Sequence, residues 1–361
     1  MVNKETNSTR IILSILIFAL VLIYSCATDK SKEVIKNDPL TKEDSLRQDK
    51  DLLLGGVIKA VSYSGFRTGQ HPDRGDGAIN PTKEEILEDL TILSQNSLFQ
   101  LIRLYDCGIN SQMVLESIRE NNIDIKVMLG AWLEAEVSNH EGCFWMHDSI
   151  PTAVLNNNKL KNKAELDKAI ELSNEYPDII ISVNVGNEAL VGWTDHLIPV
   201  QTVIGYVTKV KESISQKVTV AENCDWWAQD GEDLAEVVDF LAIHSYPVWS
   251  GKGIEEGMSI TIEDVYKVRK AFPDKMIVIS EAGWATIASE FGDRASEDNQ
   301  VIYYEALMDW ATEMNITTFF FEAFDEDWKG DPGNMMGAEK HWGLFNVDRT
   351  PKKAISKYYA E

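Results

Sequence analysis

Short apolar runs rich in β-branched residues alternate with amphipathic stretches along most of this chain, and this alternation limits the fold more than any other feature. The eight apolar runs are residues 53–62, 101–105, 125–129, 179–185, 218–221, 240–243, 276–280 and 318–321. Stretches with helical spacing lie between them, at residues 82–95, 163–175, 200–215, 262–271 and 296–314. Eight strands that alternate with helices predict an α/β fold, a (β/α)8 TIM barrel.

The first 50 residues differ in composition from the rest of the chain. Lys4 and Arg10 precede an almost unbroken apolar run over residues 11–24, which is shorter than the roughly 20 residues of a membrane-spanning helix and has the length of a secretory signal. Ser25 and Cys26 follow the run, and residues 23–26 resemble a bacterial lipobox, whose cysteine is lipidated. An ordinary signal or short anchor with an incidental cysteine is the alternative.

Residues 27–50 are polar and charge-rich, which is typical of a flexible segment. We therefore expect a lipoprotein signal peptide (1–25), a flexible tether (26–50) and a single barrel domain (51–361). The protein would be secreted across the inner membrane. It would then be lipid-anchored through Cys26, in the outer membrane or at the cell surface of a bacterium.

Charge and cysteine content exclude several classes of function. The formal net charge is −24, so phosphates would repel the chain, and neither nucleic acid nor an anionic membrane surface is an expected partner. The four cysteines form no C-x-x-C pair and no zinc-ligand spacing with the histidines. Gly55 and Gly56 are not followed by a phosphate-binding pattern. We expect no metal and no cofactor, with Cys107 and Cys224 as buried thiols rather than nucleophiles.

Two of the apolar runs end in a glutamate. The seventh run leads into Glu281, and the fourth leads through Gly186 and Asn187 into Glu188. A strand that merely emerges into solvent would explain either glutamate alone, but all strands of a barrel end on one face, which would bring both carboxylates together. A protonated acid beside an ionised carboxylate cleaves glycosidic bonds with retention of configuration. This predicts Glu188 as acid/base and Glu281 as nucleophile.

Most of the tryptophans follow the predicted strands. They are Trp132 and Trp145 after the third strand, Trp193 after the fourth, Trp226 and Trp227 after the fifth, Trp249 after the sixth, Trp284 after the seventh, and Trp328 and Trp342 after the eighth. Flat aromatic rings suit the C–H faces of sugars and lose little conformational entropy on binding. The distribution predicts a carbohydrate-binding face, although packing between loops would explain any single tryptophan.

Several segments together resemble glycoside hydrolase family 17. They are residues 185–188 (VGNE), 280–284 (SEAGW), 321–329 (FEAFDEDWK) and 339–345 (EKHWGLF), with 103–106 (RLYD) and 245–247 (SYP) in agreement. That family contains retaining β-1,3-glucanases and related transglycosylases on a (β/α)8 barrel. The chain departs from plant members at Ala285, where proline is common, and in the long loop 133–158, so the resemblance does not fix the number of sugar subsites.

The resemblance implies roles for particular residues. Glu188 and Glu281 would be catalytic, Tyr246 would lie near the nucleophile, and Glu326, Lys329 and Glu339 would form a polar cluster that supports the site. The remaining expected substrate contacts are Tyr63, Tyr105, Asp106, Trp132, Asn187, Trp284 and Trp342.

The sequence thus predicts a retaining glycoside hydrolase that cleaves laminarin-type β-1,3-glucan through a glucosyl-enzyme intermediate, as a monomer. Three alternatives stay open at this point: a β-1,3-glucan transglycosylase, a non-catalytic glycan-capture lipoprotein, and a barrel glycosidase of a neighbouring family that acts on another β-glycan. The presence of both glutamates argues against the capture protein, because binding alone has no need of a protonatable pair. Endo and exo action are both compatible with the sequence.

Overall fold

The computed structural model describes Lys42, residues 45–73 and residues 77–359; the predicted signal peptide and Cys26 lie outside these residues. Eight parallel strands close into a barrel in chain order. The strands are β1 Lys59–Ser62, β2 Leu101–Arg103, β3 Lys126–Ala131, β4 Ile180–Asn187, β5 Lys217–Asn223, β6 Leu241–Ser245, β7 Ile277–Ala282 and β8 Thr318–Phe320. Pairing of β1 with β8, with Ala60 opposite Phe319, closes the barrel. The predicted (β/α)8 barrel is confirmed.

Helices follow the strands around the outside of the barrel. In the described part of the chain they are α1 Lys83–Ser94, α2 Ile109–Asn121, α3 Thr152–Glu175, α4 Val200–Lys211, α5 Cys224–Asp230, α6 Glu232–Val237, α7 Ile254–Ala271, α8 Glu297–Met314 and α9 Lys353–Ser356. The Thr82 hydroxyl and the Glu85 carboxylate form the capping box that begins α1. None of the helices within the described ranges is long and apolar enough to cross a bilayer.

All five helices predicted from apolar spacing are present, but two of them begin earlier than predicted. The first half of α3 lies at the surface, where Leu160 is exposed, so it carries no periodic apolar signal. Helix α7 begins after Gly253 rather than near residue 262. The short helices α5, α6 and α9 were not predicted, because they are too short to show an apolar period. Helix α2 was also not predicted, because polar Asn110 and Ser111 occupy buried positions in its first turn and interrupt its apolar pattern.

The buried apolar residues form two layers. The larger layer lies between the barrel and the surrounding helices. The smaller layer contains no residue of helices α1–α9 and fills the barrel interior. It comprises Leu54, Ala60, Leu101, Met128, Ala221, Phe240, Ala242, Met276, Val278 and Phe319. Cys107, Cys143 and Cys224 are free and buried, as the sequence predicts for Cys107 and Cys224.

Residues before Asp51 also belong to the folded body. Leu46 is fully buried, and the Gln48 side chain closes the amino-terminal end of the barrel. Its Nε2 donates to Ile277 O at 2.9 Å, and its Oε1 accepts from Ile277 N at 2.7 Å and from Arg269 at 2.9 Å. The barrel domain therefore includes residues that the sequence assigns to the tether.

Candidate active site

The end of β4 turns sharply where it delivers Glu188. Gly186 has φ +87° and Glu188 has φ +48°, both in the left-handed region. A side chain at position 186 would be strained at this φ, and its Cβ would lie 3.0 Å from Leu133 Cδ1. A positive φ at a non-glycine residue such as Glu188 is uncommon, and such residues cluster at functional sites. The Glu188 N–H donates to Ala221 O at 2.9 Å, which fixes the turn against β5.

A shift in pairing register between β6 and β7 places His244 opposite Glu281. Bulges of this kind re-aim side chains at the rims of barrels. The fully buried His244 stands between the two carboxylates, because its Nδ1 lies 2.8 Å from Glu188 Oε1 and its Nε2 lies 3.5 Å from Glu281 Oε1. The structure therefore brings the two predicted glutamates together on one imidazole ring.

Glu281 is surrounded by groups that favour its ionised form. Arg103 donates to Oε1 at 2.6 Å, Tyr105 donates to the same oxygen at 3.0 Å, and Tyr246 donates to Oε2 at 2.5 Å. Burial alone would raise the pKa of Glu281, but the facing His244 ring, the Arg103 guanidinium and the two hydroxyls outweigh it and lower the pKa. Glu281 is thus an ionised carboxylate in a buried position.

Two contacts fix the orientation of the His244 ring. Nδ1 lies 2.8 Å from Glu188 Oε1, and because a carboxyl oxygen accepts, Nδ1 donates to it. On the other edge of the ring, Nε2 lies 3.3 Å from Arg103 Nη1 and 3.5 Å from Glu281 Oε1. Because Oε1 is occupied in this way, Oε2 is the Glu188 oxygen that is left to exchange a proton with a substrate.

Glu222, on β5, is a third carboxyl group in this region and was not predicted. It is fully buried, and its Oε1 accepts from Leu190 N at 2.8 Å. Burial, together with the negative charge of Glu188, raises the pKa of Glu222 well above its ordinary value. The position of Glu222 thus favours the neutral form of its carboxyl group.

A buried lysine lies beyond β8. Lys329 Nζ is 2.5 Å from Glu322 Oε2 and 2.8 Å from Glu326 Oε2. Burial would lower the pKa of Lys329, but the two carboxylates raise it. Burial would raise the pKa of Glu326, but the positive charge of Lys329 outweighs burial and lowers it. The predicted contact between Glu326 and Lys329 is present, but the second carboxylate on the lysine is Glu322 rather than Glu339.

Glu339 lies at the rim of the site with an exposed side chain. Partial removal from water, and the negative charges of Glu281 and Glu188, raise its pKa, although Lys329 acts in the opposite direction. Its carboxylate thus lies within the electrostatic field of the glutamate pair without pairing with the lysine.

The remaining predicted polar contacts divide into two groups. Asn187 accepts a hydrogen bond from Arg103 through Oδ1, and Tyr105 contacts Glu281, so both belong to the site. Asp106 instead accepts from Gly108 N at 2.8 Å and from Ser111 Oγ at 3.2 Å, which stabilises the start of α2. Tyr63 is fully buried and donates to Asp89 at 3.2 Å, so the structure assigns it to packing rather than to a sugar-binding surface.

The tryptophans after the strands also divide. Trp227, Trp284 and Trp342 are fully buried. Trp284 donates to Arg294 O at 2.8 Å, and because it is fully buried it has no face open to a substrate. Trp342 packs edge-on against Tyr246, with ring centroids 5.2 Å apart, and supports that tyrosine. Trp132 stays partly exposed and lies over His196, with ring centroids 4.7 Å apart. Trp145, Trp193 and Trp249 are exposed. The predicted aromatic face therefore rests on fewer tryptophans than the sequence suggests.

Arg103, His244, Glu222 and Glu322 are the site residues that sequence reasoning missed or left open. A signal was present for three of them, because Arg103, Glu222 and His244 each end or interrupt a short apolar strand run. A charged or titratable side chain buried inside a barrel requires a partner, and the carboxyl ends of the other strands supply it.

One group in the described ranges has metal-ligand geometry, formed by Cys224, Asp225 and Asp264. Lys267 Nζ lies 2.8 Å from Asp225 and 3.2 Å from Asp264. The lysine therefore already supplies the positive charge that these carboxylates need, and the group does not fit an additional cation.

On a barrel of this topology, two glutamates that face each other across one imidazole from the ends of β4 and β7 are the arrangement of a glycoside hydrolase. The protein is therefore of that class. More narrowly, residues 60–343 match the BtgE/BtgC glycoside hydrolase domain, and the chain belongs to this family.

Relatives and solved structures agree with this assignment. The chain is 26% identical over 320 residues to a glucan 1,3-beta-glucosidase of Arthroderma benhamiae, an alignment that covers 82% of this chain and 91% of the relative. It is 27% identical to the putative glucan endo-1,3-beta-glucosidase btgC of Aspergillus niger, covering 76% of this chain but only 40% of that protein. The crystal structure of an endo-laminarinase from Formosa Hel1_33_131 superposes with a TM-score of 0.71 at 26% identity, covering 86% of this chain and 88% of that one. The resemblance to glycoside hydrolase family 17 is confirmed.

Proposed function

We propose that the protein hydrolyses β-1,3-glucan with retention of configuration, with Glu281 as nucleophile and Glu188 as acid/base. The observation that carries this proposal is the contrast between the two carboxylates on His244. Three donors hold Glu281 ionised. Glu188 receives one donor, from His244, and keeps its second oxygen free. The site thus separates a permanent anion from a group that can exchange a proton.

In the first step, Glu281 attacks the anomeric carbon while a proton on Glu188 Oε2 passes to the departing glycosidic oxygen. The bond between carbon and leaving oxygen breaks as the ester to Glu281 forms. In the second step, Glu188 takes a proton from water, whose oxygen attacks the same carbon and releases Glu281 as a carboxylate. If a sugar hydroxyl replaces water in that step, the same site elongates glucan.

The substrate proposal rests on the relatives and on charge. The Arthroderma benhamiae relative is a glucan 1,3-beta-glucosidase and the Formosa structure is an endo-laminarinase, and the chain covers most of both. A neutral glucan also suits a chain with a net charge of −24, because it carries no charge for that field to repel. Laminarin and its oligosaccharides are therefore the substrates to test.

Product analysis on laminarin tests the proposal, with Glu281→Gln and Glu188→Gln beside the parent and Glu212→Gln, at an exposed glutamate, as the matched control. We expect the parent and control to release shorter sugars and both active-site variants to lose nearly all activity. An aryl glucoside with a good leaving group separates the two roles. It needs no acid, so Glu188→Gln should still form the glucosyl enzyme and Glu281→Gln should not. Intact laminarin with every sample would refute the proposed reaction, and longer sugars would indicate transglycosylation.

The proposal extends to the location of the enzyme. We infer a signal peptide ending at residue 25 and a lipid-anchored mature protein with Cys26 at its amino terminus, followed by a short tether and a monomeric barrel. The support is the apolar run 11–24 and the segment before Cys26. Mass spectrometry of the amino-terminal peptide and membrane fractionation of the parent and Cys26→Ser would test this. A parent that stays in the soluble fraction with an unmodified cysteine would overturn it, and sedimentation would report the oligomeric state of the barrel.

A further inference from the structure

Three large aromatic side chains are exposed together in the loops that follow β3 and β4. Phe144 is 82% exposed, Trp145 is 47% exposed and Trp193 is 44% exposed. We call these three residues the aromatic ledge. Clusters of exposed apolar side chains on a soluble domain mark binding surfaces more often than isolated ones do.

Contacts position Trp145 and join the two loops that carry the ledge. Trp145 packs edge-on against Phe144 with ring centroids 4.6 Å apart, and its Nε1 donates to Asp195 Oδ2 at 3.2 Å. Asn139 joins the two loops, because its Nδ2 donates to Gly192 O at 2.9 Å and to Thr194 O at 2.7 Å. Rings that are already positioned lose little entropy on binding, which favours recognition over chance exposure.

The ledge connects to the catalytic pair through a chain of hydrogen bonds. Asp195, which holds Trp145 by one oxygen, contacts His196 Nδ1 at 2.8 Å with the other. His196 Nε2 lies 2.7 Å from Asn187 O, and the next residue is Glu188. The ledge therefore lies on the flank of the site that carries the acid/base rather than on that of the nucleophile.

We propose that the aromatic ledge binds glucosyl residues of the β-1,3-glucan chain on the leaving-group side of the cleaved bond. This inference rests on the proposed function. Glu281 attacks the sugar that is retained, and Glu188 protonates the oxygen of the portion that departs, so the departing portion runs past Glu188 toward the ledge. A sugar acceptor in transglycosylation would occupy the same surface. Aromatic rings supply the flat apolar faces that glucosyl residues stack on.

Two substrates test this placement. Laminarihexaose extends over both sides of the cleaved bond, whereas an aryl β-laminaribioside has no sugar on the leaving side. For the double variant Phe144→Ala, Trp145→Ala, the ratio of kcat/KM on the hexaose to kcat/KM on the aryl substrate should fall about tenfold, which corresponds to about 1.4 kcal/mol. Ile302→Ala is the control, because this apolar side chain is similarly exposed, at 53%, but lies on helix α8 outside the barrel. Its ratio should equal that of the parent.

Calorimetric titration of laminarihexaose into Glu281→Gln, with and without the double variant, measures the ledge independently of turnover. We expect the dissociation constant to rise about tenfold. A change in this constant without any hydrolysis by the parent would support the ledge and refute the proposed reaction. An unchanged constant and ratio, an equal loss on both substrates, or an equal effect of Ile302→Ala would refute the ledge. So would a parent dimer that the double variant dissociates in sedimentation, because the ledge would then be a contact between copies.

Discussion

Replacing Tyr246 with phenylalanine removes one hydrogen bond from the proposed nucleophile and little else. The Tyr246 hydroxyl donates to Glu281 Oε2 at 2.5 Å and contributes to the lowered pKa of Glu281. A hydrogen bond to a charged group stabilises it by about 1.5–3 kcal/mol, and about 1.4 kcal/mol corresponds to one pH unit. Tyr246 is partly exposed, so the lower end of this range applies.

The direction of the effect follows from the requirement that Glu281 be ionised to attack. Without the hydroxyl, the ionised form loses a donor, the pKa of Glu281 rises, and activity is lost at a higher pH on the acidic side. We expect the acidic limb of kcat/KM, measured on laminari-oligosaccharides, to move up by about one pH unit. The alkaline limb should stay in place, because Tyr246 donates to Glu281 and not to Glu188.

Two further variants control this experiment. Tyr105→Phe should move the acidic limb less, because its hydroxyl donates at 3.0 Å to an oxygen that Arg103 already holds at 2.6 Å. Tyr303→Phe removes a fully buried hydroxyl that contacts Thr261 at 2.7 Å and no site carboxylate, so the limb should not move. An unmoved limb in Tyr246→Phe, or a shift toward lower pH, would show that the hydroxyl does not stabilise the ionised nucleophile.

Three other substitutions have definite expected outcomes. His244→Phe should lower kcat by about tenfold or more, because it removes about one charge-assisted hydrogen bond to Glu188. His244→Asn keeps a donor and should recover part of the lost kcat in steady-state kinetics. Equal losses of kcat in the two variants would contradict the role of Nδ1. Glu222→Gln should stabilise the protein relative to the parent by about 1.4 kcal/mol for each pH unit above about 4.5. The raised pKa of Glu222 means that the folded parent holds a proton that the unfolded chain releases, so the parent loses free energy of unfolding as pH rises. Thermal unfolding between pH 4.5 and 7 measures the difference, and a pH-independent difference would refute the reasoning. Gln48→Leu should leave Ile277 N–H unpaired and lower the free energy of unfolding by about 1–3 kcal/mol, with activity unchanged below the unfolding transition. An unchanged midpoint of denaturant unfolding would contradict the role of Gln48 in closing the barrel.

The barrel could be predicted from the sequence because its signals are local. Each strand is a short apolar run, and helix α1 carries its capping box at Thr82 and Glu85. Glu188 and Glu281 could be identified for the same reason, since each follows such a run directly. The closed order of parallel strands then brings the two glutamates to the same face, because all strands of the barrel end there regardless of the loop conformations.

The neighbours of the two glutamates depend on loops and register, which local patterns do not encode. Trp284 and Trp249 both follow strands, but the first lies under the loop that contains Arg294 and the second is exposed. A bulky ring serves equally well in packing and in sugar binding, so composition cannot separate the two. Likewise, the sequence offers several carboxylates near Lys329, and only the fold selects Glu322 over Glu339.

The arrangement around His244 explains how one site can serve both chemical steps. In the proposed mechanism, the negative charge lies on Glu281 before the reaction, where Arg103 and the tyrosines hold it, and on Glu188 after the ester has formed. His244 contacts both carboxylates, and its Nδ1 proton already points at Glu188 Oε1, so a donor is in place before the charge arrives. A donor positioned in advance needs no reorganisation at the moment of reaction. The raised pKa of Glu222 fits this scheme, because a third buried anion beside Glu188 would oppose the arrival of that charge.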